Sequence, residues 1–326
     1  MIVSEKNNDV IGLNNIVYEP SLFFKSVHFS TMYPYGFRKI RHPYFQRERY
    51  ITFDNDFVDL DFVYKGSTNC AILLHGLEGS SSSQYIKAIT QSLAETDIDI
   101  CAMNHRSCSG ELNLNTTMYH SGFTEDLHMI IEKLKSKYNK ILLIGYSLGG
   151  NVILKYLGNH GQVSSVVAAA AISSQVELTS SSAMLNHWKN KAYVIQFLST
   201  LKNKAYAKER QHPGCINVKN IRRLTSLYAY DNEVTARLHN FKSANDYYEK
   251  ASSKSQLHFI KTPTLLVNAQ NDSFLAKECF PYEEAKHHQY FHLLAPKYGG
   301  HVGFGQWNHG EYWIDRVIKE WIVKHL

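Results

Sequence analysis

Four apolar residues, Ile141 to Ile144, run straight into Gly145-Tyr146-Ser147-Leu148-Gly149, and Val152 to Leu157 follow. The first stretch has the length and composition of a buried strand, the last that of a helix. A chain passes from strand to helix over so few residues only where neighbouring side chains are missing. Gly145 and Gly149 leave that room. Gly-x-Ser-x-Gly in this setting predicts a nucleophile elbow, a strained turn that exposes the Ser147 hydroxyl. The Leu148 N–H then stands at a helix N-terminus, where negative charge is favoured. With Gly and Ser each near 7% of residues, the bare pattern arises by chance about 0.1 times in such a chain. The flanking strand and helix therefore carry the reading.

A chain of 326 residues with 44% hydrophobic and 13% aromatic content can bury a large core, as one α/β domain or two smaller ones. Eight strand-like segments recur: 47–53, 57–64, 70–74, 98–103, 141–144, 163–171, 263–269 and 290–294. Helical patterns fall between several of them, at about 84–95, 124–138 and 311–324. Alternation of this kind predicts a mostly parallel sheet flanked by helices, with its working loops at the carboxyl ends of the strands. Between 171 and 263 lies far more chain than one crossover helix needs. The surplus predicts an inserted helical cap. The expected organisation is an aromatic-rich N-terminal arm over 1–45, a first part of the core over 46–175, the cap over 176–250, and the rest of the core over 251–326.

Several classes are excluded. Five cysteines, at 70, 101, 108, 215 and 279, form no CxxC pair and read as reduced, buried thiols of a cytoplasmic protein. The opening residues lack a basic segment followed by an apolar core, so no secretory signal is expected. The longest low-polarity run, Val163 to Ile172, is too short to span a bilayer. A net charge of +6, spread along the chain, does not describe a nucleic-acid surface. No HExxH, phosphate loop or dinucleotide fingerprint is present, and neither metal nor cofactor is expected. The middle of the cap, 186–211, is basic with apolar residues interleaved. It reads first as a solvated helix with its apolar face on the core, and second as a surface that meets anionic lipid.

A serine hydroxyl needs a general base, and the base needs an acid to hold its tautomer. In this kind of fold the chain order is Ser, acid, His. Asp272 lies just past the strand that Pro263 opens, whereas Asp231 in the cap has no strand leading to it. Of the later histidines, His301 sits in Tyr298-Gly-Gly-His-Val-Gly-Phe304, directly after the last strand, where glycines allow an imidazole to reach across the strand ends. An imidazole titrates near neutral pH and suits proton shuttling. For the oxyanion, the Leu148 N–H needs a second donor. Leu77 in the loop His75-Gly-Leu-Glu-Gly79 is best placed, with His75 bracing the loop.

His75-Gly-Leu-Glu-Gly-Ser80, Asn104-His-Arg-Ser-Cys-Ser-Gly-Glu111, Tyr119-His-Ser-Gly-Phe-Thr-Glu-Asp-Leu127, Gly145-Tyr-Ser-Leu-Gly-Gly-Asn151, Asn268-Ala-Gln-Asn-Asp272 and Tyr298-Gly-Gly-His-Val-Gly-Phe304 together resemble the YheT-like branch of the α/β-hydrolases, the AB hydrolase 4 family. The resemblance covers about residues 25–325. It implies an α/β-hydrolase fold with a triad at Ser147, Asp272 and His301, acting on carboxylic esters, lipid esters included. Two departures stand out. Ser107 occupies a position where glycine is usual, and the N-terminal arm matches only loosely. Animal relatives begin with a membrane anchor, which the opening residues here do not resemble.

Three functions remain open on this basis: an ester hydrolase, an acyltransferase or peptidase with the same triad, and a binding protein without catalysis. Covalent labelling of Ser147 separates the last from the others, and addition of an acceptor alcohol separates the first two. Oligomeric state is not encoded in any pattern found.

Overall fold

The computed structural model describes Leu13, residues 17–307 and residues 310–326. Eight strands form one sheet: β1 (Gln46–Ile51), β2 (Phe57–Val63), β3 (Asn69–Leu74), β4 (Asp99–Asn104), β5 (Lys140–Tyr146), β6 (Val166–Ile172), β7 (Thr264–Val267) and β8 (Phe291–Leu294). Their order across the sheet is 1-2-4-3-5-6-7-8. β1 and β2 pair antiparallel, as do β2 and β4; all later pairings are parallel. This is the mostly parallel, eight-stranded sheet that the alternation of strands and helices predicts.

Helices cover both faces. The central strands β3 and β5 are accordingly buried and apolar after their first residues, Asn69 and Lys140, rather than alternating. The main helices are α1 (Val27–Phe37), α2 (Gln84–Ser92), α3 (Glu125–Leu134), α4 (Leu148–His160), α5 (Leu178–Leu185), α6 (Lys191–Gln211), α7 (Val218–Arg223), α8 (Ala244–Ala251) and α9 (Trp313–Val323). Most expected boundaries shift by a few residues. β6 starts at Val166 rather than 163, because the Val166 N–H closes a turn onto the Val163 carbonyl. α9 starts at Trp313, leaving Glu311 to accept from Lys319.

Helices α5 to α8 fill the long connection between β6 and β7. Val194, Leu198, Leu201 and Ala205 recur along α6 at helical spacing and pack with Ile221, Leu227, Tyr230 and Val234 in a core of their own. Lys204 and Lys208 do not face water as a solvated basic helix would have them. Lys208 is fully buried and donates to the carbonyls of Asn113 and Asn115. Lys204 reaches Glu78 at 2.8 Å. These helices are thus tied to two loops of the sheet by the buried Lys208 and the half-buried Lys204.

All five cysteines are free; Cys215 is only half-buried, the other four buried. Ser107 adopts φ +63°, which explains why glycine suits that position. Its hydroxyl donates to Asn113 Oδ1 at 2.6 Å and accepts the Asn113 N–H, holding the turn from within.

Beside it, Arg106 is buried and binds Asp54 and Asp126 in paired hydrogen bonds, with Asp56 at 3.6 Å. This guanidinium joins the β1–β2 turn to the start of α3. Arg106→Met leaves buried carboxylates without their cation and is expected to cost about 3–5 kcal/mol. Urea unfolding measures it; a loss below about 1 kcal/mol would contradict the assignment.

Candidate active site

β3 and β5 are neighbours, and the chain leaves β3 toward β4 on one side before returning to β5 on the other. A crevice opens at such a switch point. Leu74 pairs with Gly145, so the loops after the two strands emerge side by side. Ser147 heads α4 with φ +52°, ψ −118°, the strained elbow expected of the motif. A Cβ at Gly149 would lie 2.5 Å from the Leu74 carbonyl oxygen, and one at Gly145 2.5 Å from the Gly149 carbonyl oxygen. The turn therefore closes only with glycine at both positions.

Three predicted side chains converge here. Ser147 Oγ lies 3.0 Å from His301 Nε2, and His301 Nδ1 lies 2.8 Å from Asp272 Oδ2. Asp272 is buried, and its second oxygen accepts the Phe274 N–H at 2.9 Å. The Phe274 ring packs on the imidazole at 4.3 Å.

The His301 loop is not loose. Its N–H donates to Thr31 Oγ1, the Val302 N–H to Ser173 Oγ, and the Gly300 N–H to Asn271 Oδ1. Ser30 Oγ donates to the Gly299 carbonyl, and the backbone at Gly303 passes so close to Ser30 that a side chain has no room. The glycines thus serve close packing against α1, not freedom of reach. Thr31, Ser30 and Ser173 carry no motif. The aromatic density of the N-terminal segment signals only that it packs.

The loop after β3 holds the second predicted donor. The Gly76 N–H donates to Tyr85 Oη, Glu78 N–H to Tyr119 Oη, and Gly79 N–H to the Gly76 carbonyl. Among the described residues, the Leu77 N–H is the one of these four without a partner. The Leu148 N–H belongs to the first turn of α4, where helix geometry supplies no acceptor. Gly76 packs against Ser147: a Cβ added at Gly76 would lie 3.1 Å from the serine Cβ.

His75 braces this loop. Its Nδ1–H donates to the Gly76 carbonyl, and Nε2 accepts the His105 N–H. Burial, with His105 alongside, pushes the His75 pKa well below its ordinary value. Burial likewise lowers His105 to about 4. Both rings are therefore neutral when folded but protonate near pH 6.5 when unfolded. The unfolded chain binds more protons between those values, so stability is full above pH 6.5 and lost as pH falls toward 4. For His105 the expected slope is about 1.4 kcal/mol per pH unit. Urea midpoints measured from pH 7 to 4.5 test this, and His105→Asn should flatten the curve by about one proton.

A cavity of about 1380 Å³ opens above Ser147 and His301. Leu148, Leu178, Phe197, Leu201 and Phe274 are among its apolar walls, and α1 and α6 both contribute lining residues. Asp231 also lines it, on a single π-helical turn, accepting from Thr235 and Tyr248. Burial raises its pKa to about 6. His309 lies outside the described residues. Among the described residues no cluster of three or more His, Cys, Asp or Glu side chains is arranged to hold a metal ion. None of their helices is long and apolar enough to cross a membrane.

Residues 72–293 match the alpha/beta hydrolase fold family. YheT of Escherichia coli (strain K12) is 32% identical over 94% of this chain and 93% of its own length. A monoacylglycerol lipase of Saccharomyces cerevisiae is 27% identical over 74% of this chain, and the phospholipase ABHD3 of Mus musculus 30% identical over 77%. The match spans 56% of the yeast protein and 62% of the mouse one. Among solved structures, the Pyrococcus furiosus esterase Pf2001 superposes with a TM-score of 0.55 at 18% identity, over 85% of this chain and 93% of that one, which speaks for the fold.

Proposed function

This chain belongs to the alpha/beta hydrolase family, in its YheT-like branch, and from that premise we propose that it hydrolyses carboxylic esters through a Ser147–His301–Asp272 triad. The observation that carries the reading is the continuous contact from Ser147 Oγ through both ring nitrogens of His301 to the buried Asp272, beneath a large, partly apolar cavity.

Ser147 Oγ attacks the acyl carbonyl while His301 Nε2 takes its proton. Asp272 keeps the other ring proton on Nδ1 and stabilises the imidazolium that forms. The N–H groups of Leu77 and Leu148 receive the oxyanion; one such donor is worth about 10²–10³ in rate. His301 returns the proton to the leaving alcohol. Water, activated in the same way, then releases the acid from Ser147.

The cavity exceeds the roughly 300–1,000 Å³ of sites for drug-sized ligands. Its size and walls favour esters with long acyl chains, the lipid esters named for the yeast and mouse relatives among them. A fluorophosphonate probe should label Ser147 alone. Across a series of p-nitrophenyl esters, kcat/KM should rise from acetate toward longer chains. Turnover without any labelling of Ser147 would sink the triad, and an optimum at acetate would sink the long-chain reading.

A further inference from the structure

The cavity mouth has an unusual composition. Between Pro20 and Arg47 the chain carries Lys25, Arg38, Lys39, Arg41 and Arg47 and no Asp or Glu. Between Leu178 and Lys208 it carries Lys189, Lys191, Lys202, Lys204 and Lys208, again with no acid. These ten cations exceed the whole net charge of +6, so the remainder of the chain is net acidic. Both acid-free segments contribute to the cavity wall, the first through Met32, Tyr35 and Arg38 and the second through Lys189, Tyr193 and Phe197. They meet where His28 Nδ1 and Tyr193 Oη come within 3.1 Å.

Large apolar side chains stand outward on the same segments. Met32 and Tyr35 of α1 line the cavity yet are 53% and 80% exposed, which places them at its rim. At the start of α6 and in the turn before it, Ile195 is 59% and Trp188 74% exposed. Lys191 and Ile195 stand four residues apart on one face of α6, and Trp188 lies in the 3-10 turn that leads into it. Some cations have internal work: Arg38 binds Asp315, Lys204 binds Glu78, and Arg47 binds Asp61. Lys39, Arg41, Lys189 and Lys191 form no ion pair among the described residues, and all four are exposed. Exposed aromatic and aliphatic side chains on the same acid-free segments as unpaired lysine and arginine complement an anionic bilayer surface.

We propose that α1 with the residues just after it, and the start of α6 with the turn just before it, form a docking rim that seats the cavity mouth on an anionic lipid surface. A lipid ester would then pass from the bilayer into the cavity without crossing water. Only that purpose rests on the ester-hydrolase reading; the docking is measured without catalysis.

The test is co-sedimentation of the full chain with phosphatidylcholine vesicles, with and without phosphatidylglycerol. Binding should be about tenfold or more tighter with the anionic lipid and should weaken with salt. Lys39→Glu/Lys191→Glu should lose at least about tenfold of that binding. Trp188→Ser/Ile195→Ser should lose binding that salt does not modulate. Both variants should turn over a soluble ester as before. Equal binding to the two vesicles, no binding, or variants that bind like the parent would overturn the proposal. So would a dimer, seen by light scattering, that the variants dissolve, since the rim would then face a second copy. Anionic-vesicle binding in a protein that turns over no ester would instead overturn the ester reading and leave the rim standing.

Discussion

Ser147→Ala is expected to lower kcat/KM toward a p-nitrophenyl ester by about 10⁴–10⁶ while leaving the melting temperature within about 1 °C. The two parts have separate causes. Only the Oγ is removed, and its contact in the fold is His301 Nε2. Alanine keeps the Cβ that serine already carries at φ +52°, so no strain is added or relieved at the elbow. Whatever rate survives comes from the oxyanion donors and the cavity acting on bound water. Steady-state kinetics beside a thermal melt decide the matter. A loss under about tenfold would remove Ser147 from the reaction.

Asp272→Asn is expected to cost about 10⁴ in kcat with little change in KM. The reason lies in the two oxygens. Asp272 Oδ1 accepts the Phe274 N–H, and Oδ2 faces His301 Nδ1. An asparagine that keeps its carbonyl on Phe274 must turn its NH₂ toward Nδ1. That nitrogen then has to accept, and the ring proton moves to Nε2, where it faces Ser147. A base already protonated at Nε2 cannot take the serine proton. The side chains have the same shape, so the fold is kept and the loss is chemical. The pH–rate profile provides the check. A variant with the parent profile and rate would show that Asp272 does not set the His301 tautomer.

Both residues were visible in the chain because each sits where a local pattern ends. The Ser147 turn needs a strand, two glycines and a helix within about a dozen residues, and all of these are sequence-local. Asp272 and His301 follow strands in the order the fold requires, so topology narrows the choice before any distance is known. Leu77 follows in the same way from the loop after β3. The central parallel strands were legible because buried parallel strands are continuous apolar runs, and the antiparallel pair β1 and β2 from alternation on either side of a turn at Asp54-Asn55.

Other features had no local mark. Thr31, Ser30 and Ser173 pin the His301 loop, but a hydroxyl that caps a distant N–H looks like any other serine or threonine. Lys204 and Lys208 read as solvent-facing because lysine is nearly always so. The burial of Lys208 and the ion pair of Lys204 depend on α6 crossing loops about a hundred residues earlier in the chain. Periodicity and turn chemistry thus specify elements and the elbow, since those are set by contacts a few residues apart. The partners of the His301 loop and the ammonium ties of Lys204 and Lys208 are set by contacts between segments far apart in the chain. Such contacts leave no period or spacing behind, and they exist only once the helices have packed.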